Sequence, residues 1–179
     1  MKRLSATTKL TVAAMATALG VLFMYAASLT PVGRLPFCFL ASLVIWIPLN
    51  ERGGFLPALL CWLATAGVTF LIVSNKLYAC AYLLFFGAYG FLKLGTDILI
   101  PDRFIAFIIK LIIMNSLTVL ALWISSLVLQ QNVFYMIPEY PLYIMIPVLE
   151  IAFIAYELLY TLCIRAFDEH LRSVIIPRR

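Results

Sequence analysis

The chain has 179 residues, of which 65% are hydrophobic and only 12% charged, with a mean hydropathy of +1.07. A water-soluble domain of this size is usually about half apolar and about a quarter charged. The composition therefore excludes an aqueous globule and makes lipid the solvent for most of the backbone.

A spanning helix needs about 20 apolar residues, so the length predicts an all-α membrane bundle of about six spans with short loops, and leaves no room for a soluble catalytic domain. The first run, 9–28, is too long for the apolar core of a cleaved signal peptide, and more spans follow it. The second, 37–49, is short for a full crossing. It is expected to tilt into a thinned region, to begin earlier at Arg34, or to be partly re-entrant. The third covers 55–73 and the fourth 77–94, followed by a polar stretch with Asp97, Asp102 and Arg103. The fifth covers 104–129 and the sixth 141–166. With no internal repeat or linker, residues 1–179 read as a single integral-membrane domain.

Orientation follows from the cations. With the N-terminus inside, ten Lys and Arg fall on the inner side, namely Lys2, Arg3, Lys9, Arg52, Lys93, Arg103, Arg165, Arg172, Arg178 and Arg179, against two outside, Arg34 and Lys76. Lys110 lies within a span and stands apart from the count. This bias predicts a multi-pass protein of the cell membrane with both termini cytoplasmic. It also accounts for the net charge of +5 without a nucleic-acid partner. Four single cysteines, Cys38, Cys61, Cys80 and Cys163, read as small buried hydrophobes rather than a metal site or disulfide framework.

The first span carries small residues four apart: Ala14 with Ala18, Ala13 with Thr17, and Ala16 with Gly20. Such spacing makes a shallow groove that another helix backbone can approach closely. It serves either packing within the bundle or docking of a partner membrane protein.

Ionisable groups inside a span are costly unless paired or hydrated. Lys110 stands roughly 10 Å above the inner end of the fifth span and Glu157 roughly 13 Å above that of the sixth, at 1.5 Å per residue. The matching depths predict a structural Lys110–Glu157 ion pair. Glu150 stands roughly 13 Å below the outer surface by the same rise. Pro147, one turn before it, frees the Tyr143 carbonyl and favours a kink. A buried carboxylate beside a kink reads as the floor of an outward-facing pocket; otherwise it pairs with Tyr82, Asn115 or Arg34. Tyr78, Tyr82, Trp123, Asn132, Phe134, Tyr135, Tyr140 and Tyr143 gather at the same level, as an interfacial belt or as the lining of a ligand cavity. Glu150, Asn115, Tyr143, Arg34 and Tyr82 are thus the candidate substrate-binding residues. His170, beside Asp168 and Glu169, reads as a solvated tail residue. There is no phosphate-binding glycine loop, His/Glu metal spacing or nucleophile–base pair, so no enzyme, cofactor or metal is expected.

The basic N-terminus, the Ala-rich run Lys9-Leu10-Thr11-Val12-Ala13-Ala14-Met15-Ala16-Thr17-Ala18-Leu19 and the six-span plan resemble the substrate-binding S components of energy-coupling-factor (ECF) transporters, which import vitamins and related micronutrients. The stretch from Tyr82 to Lys93 also looks like one in bacterial membrane proteins often grouped with them. The resemblance implies an AxxxA coupling motif at Ala14 and Ala18. It implies a small-molecule substrate captured from outside, and as partners a membrane coupling protein driven by two cytoplasmic ATPases. No signature for a particular vitamin is present. The alternatives are a non-transport scaffold resembling the six-span cell-shape protein of the rod complex, and a small membrane enzyme.

Overall fold

The computed structural model describes residues 5–30, 34–51, 53–129, 142–167 and 169, and no strand occurs among them. Among the described residues the apolar runs become eight helices: α1 (Ala6–Leu29), α2 (Arg34–Val44), α3 (Trp46–Leu49), α4 (Phe55–Ile72), α5 (Lys76–Ala81), α6 (Gly87–Leu99), α7 (Arg103–Leu129) and α8 (Leu142–Ala166). Between α5 and α6 lies a π-turn, Tyr82–Phe86, so Lys76–Leu99 is one continuous helical run. Among the described residues five runs are long and apolar enough to cross a membrane: Ala6–Leu29, Phe55–Ile72, Lys76–Leu99, Arg103–Ile124 and Ile146–Ala166. The shorter second run extends from Arg34 to Leu49.

Local chemistry sets the boundaries. Ser5 opens α1 by accepting the Thr8 N–H on its hydroxyl at 3.1 Å, which satisfies one of the orphan donors of a first turn. Thr30 is extended at φ −90°, ψ 121°, as expected of a residue followed by proline, here Pro31. Ile100, before Pro101, ends α6 in the same way at φ −119°, ψ 105°. Asp102 then caps α7, its carboxylate accepting the N–H groups of Phe104 at 2.8 Å and Ile105 at 3.4 Å. The break between α2 and α3 falls at Ile45, immediately after the residue four before Pro48, whose carbonyl a proline ring would strike. Two glycines make the turn into α4. Gly53 has φ 71°, and a Cβ on Gly54 would lie 1.8 Å from the Pro48 carbonyl oxygen.

The chain divides into two compact units, Met1–Ile137 and Pro138–Arg179. In the first, α1 packs against both α2 and α4. Its buried stripe is Ala13, Ala16, Gly20, Met24 and Ala27, residues spaced three or four apart and hence on one face. Gly20 meets α4 so closely that a Cβ there would stand 3.1 Å from Thr65 Cγ2 and 3.2 Å from its Oγ1. A small residue here thus lets two helix backbones approach closely. α6 and α7 pack on each other, and α7 also packs on α5 and the π-turn.

The sequence placed Asp97 in a polar stretch beyond the fourth span; the structure puts it inside α6, which runs on to Leu99. The helix continues because Asp97 has partners: Lys110 Nζ donates to it at 2.6 Å, and Lys93 lies 3.8 Å away, one turn back on the same helix.

In the second unit, Glu150, Phe153, Glu157, Tyr160 and Ile164 recur three or four residues apart along α8, so they share one face. Phe153, Tyr160 and Ile164 are buried and the two glutamates half-buried. The opposite face, with Ile151, Leu158 and Leu162, is exposed. Pro147 is accommodated within α8.

Candidate functional site

The first candidate is the small-residue surface of α1, which the structure separates into two faces. Ala13, Ala16 and Gly20 are buried within the unit, while Ala14 and Ala18 are exposed. Around the exposed pair stand Met15, 69% exposed, Leu19 and Leu22. The pair predicted for docking is the one that packing inside the unit leaves unused. Thr17 lies at the border, its hydroxyl donating back to the Ala13 carbonyl at 2.9 Å.

At the opposite end of the first unit, expected to be outermost, Arg34 is exposed and its guanidinium is oriented by three contacts. Its Nε donates to the Thr30 carbonyl at 2.9 Å, closing the end of α1. Its Nη1 donates to the Tyr78 hydroxyl, and its plane lies 5.2 Å from the centre of the Tyr78 ring. A cation over a tyrosine face is attracted by the ring quadrupole. Lys76 behaves alike, donating to the carbonyls of Phe70 at 2.6 Å and Val73 at 3.0 Å at the end of α4. Both cations expected on the outer side thus sit at helix C-termini, where the peptide dipole favours them. Arg34 keeps donors to spare, since guanidinium has five N–H groups.

Tyr82 stands one turn along from Tyr78, at the start of the π-turn, and is completely buried. Asn115 is half-buried on α7, with its amide donating to the Leu111 carbonyl at 3.1 Å. That back-bond uses one of its two donor hydrogens.

Lys110 is 8% exposed and Lys93 5%, so two ammonium groups are taken out of solvent near the expected cytoplasmic end, and both reach Asp97, whose side chain is about half-exposed. The long lysine stems allow the charged heads to reach toward the helix end. The sequence reading named Glu157 as the partner of Lys110; the carboxylate the structure gives it within its own unit is Asp97. Lys93 and Asp97 carried a sequence signal for this, the i, i+4 spacing of opposite charges on a helix, which the assignment of Asp97 to a loop concealed.

On α8, Glu150 and Glu157 occupy the buried face described above. A carboxylate on the buried side of a membrane helix is there for a partner, a ligand or a proton. Tyr143 belongs to α8, but its side chain is outside the described residues, as are Asn132, Phe134, Tyr135, Tyr140 and His170. Trp123, by contrast, is 55% exposed, fitting a belt position.

Trp62 and the π-turn were not singled out from the sequence. Trp62 Nε1 donates to the Leu83 carbonyl at 3.2 Å. A Cβ on Gly87 would come 2.3 Å from Cδ1 of the Trp62 ring. The signal available was the pair of glycines, Gly87 and Gly90, in an otherwise bulky apolar run, which marks close approach of another group.

No family model, curated protein or solved structure matches the chain.

Proposed function

We propose that this chain is the substrate-binding subunit of an ECF-type ATP-driven importer, which captures a small micronutrient from outside and docks on a membrane coupling protein through α1. Both termini are cytoplasmic in this reading, and the ATP-hydrolysing partners lie on that side. The observation that carries it is the exposed Ala14 and Ala18 pair. Small residues that lipid-facing helices have no need of are retained beside a separate set that already serves internal packing. The two glutamates on the buried face of α8 support a binding role, as does an outer end where Arg34 is held by Tyr78 yet keeps free donors. The ligand contacts in this reading are Glu150, Asn115, Tyr143, Arg34 and Tyr82.

The docking test is the double substitution Ala14→Trp with Ala18→Trp. Co-expressed with a coupling protein and its ATPases, it should lose co-purification while keeping its bound small molecule, detected by mass spectrometry. A double variant that assembles normally would refute docking through this face. Co-purification of the native chain with peptidoglycan-synthesis proteins, and with no small molecule, would favour the scaffold instead. For the ligand, Glu150→Gln should lower retention of that molecule more than Glu157→Gln; equal or reversed losses would move the binding residues elsewhere.

A further inference from the structure

The run Lys76–Leu99 is interrupted by one widened turn, and the structure shows what holds it open. Across Tyr82–Phe86 the Gly87 N–H bonds to the Tyr82 carbonyl, five residues back, instead of to Leu83, four back. The carbonyl that an α-helix would give to Gly87 is occupied from outside, by the indole N–H of Trp62 on α4. The indole reaches it only because position 87 has no side chain: a Cβ there would stand 2.3 Å from Cδ1 and 2.4 Å from Nε1 of Trp62. Phe91, one turn beyond Gly87, also packs on Trp62, their ring centres 5.6 Å apart. A π-turn is one extra residue accommodated in an α-helix, and such turns are frequent at functional sites.

We propose that the π-turn is a register switch and that Trp62 is the removable peg that sets it. While Trp62 holds the Leu83 carbonyl, Gly87 must use Tyr82 and the turn stays wide. When the indole withdraws, Leu83 accepts from Gly87, the turn closes to α, and α5 moves by one residue against α6. That is a rotation of roughly 100° and a slide of about 1.5 Å. Each residue of α5 then takes the place its predecessor held. Tyr82 leaves its buried place for the half-buried one of Ala81, and Ala79 takes that of Tyr78. Tyr78 itself is carried away from the position in which it holds Arg34. The peg in the middle of the helix is thereby coupled to the expected outer end, at the boundary of α1 and α2. This coupling is independent of which partner or ligand the protein takes.

The shift has a signature that unfolding lacks. Ala79 is 2% exposed and passes to a half-buried place, whereas Cys80, 5% exposed, passes into the buried place of Ala79. The experiment uses the full chain carrying Ala79→Cys, treated with N-ethylmaleimide and read thiol by thiol through peptide mass spectrometry. Adding Trp62→Phe keeps a ring against Gly87 and removes the donor. It should raise modification of the introduced thiol roughly tenfold, the population change expected from one lost hydrogen bond, with Cys80 staying protected. Deleting Leu84 removes the extra residue, so α5 keeps its place with the turn already closed. In that background Trp62→Phe should have no effect on the introduced thiol. If Trp62→Phe leaves the introduced thiol as protected as before, Trp62 does not set the register. If the introduced thiol and Cys80 become reactive together, Trp62 merely supports packing. Either result overturns the proposal.

Discussion

The two faces of α1 are built from the same kinds of residue and meet different surroundings. Ala13, Ala16 and Gly20 face α2 and α4, and at Gly20 the neighbouring Thr65 stands where a side chain would have to go. Ala14 and Ala18, one or two positions along, face outward among Met15, Leu19 and Leu22. A small residue on the first face is required by a neighbour already in contact; on the second it keeps a surface shallow. The difference teaches that the same small residues can close a gap between helices or leave a surface open, and that accessibility separates the two.

The contrast can be broken most sharply at Gly20. Gly20→Leu has to drive four carbons into α4 and should destabilise the protein by roughly 3 kcal/mol, read as loss of thermal stability in detergent. Ala16→Leu, on the same face, should cost about 2 kcal/mol by the same overpacking.

The cations offer a second version of the contrast, between groups committed inside and groups at the rim. Asp97→Asn removes the carboxylate that Lys93 and Lys110 share. It should cost about 2 kcal/mol, below the usual figure for breaking a buried pair because Asp97 is itself about half-exposed. Lys76→Ala removes a rim cation and should change stability by no more than about 0.5 kcal/mol. If the two proved equally costly, the lysine pair would not be the fastening of α6 to α7.

The smallest effect is expected on the outward face. Ala14→Leu and Ala18→Leu should each leave stability within about 0.5 kcal/mol while weakening assembly with a coupling protein. A large stability loss there would mean that this face is packed in the protein alone and would end its role in docking.

Much of the fold was legible in the residues. The apolar runs at 9–28, 55–73, 77–94 and 104–129 fall on long helices, as does the described part of 141–166, and the shortness of 37–49 was legible too, a start at Arg34 being one of three readings of it. The candidate site was legible as residue types more than as partners. Glu150 and Glu157 could be placed on one face of a helix because their spacing of seven is a local property. That this is the buried face of α8 is not local. Arg34 could be read as an outer cation, but its contacts with Thr30 and Tyr78 join residues 4 and 44 positions apart. Asp97 was misplaced because a carboxylate in sequence looks like the end of an apolar run; Lys93, four residues before it, and Lys110, thirteen residues further on, show why the helix can keep it.

By itself the sequence determined the helical class and the approximate number of runs long and apolar enough to cross a membrane, since each follows from summing transfer costs over neighbouring residues. The tertiary structure alone decided which small residues of α1 are covered, that Asp97 meets Lys110, and that the Lys76–Leu99 run carries a π-turn with Trp62 bonded to its Leu83 carbonyl. Those outcomes depend on what lies opposite a side chain in space, and hydropathy along a chain carries no information about the opposite wall.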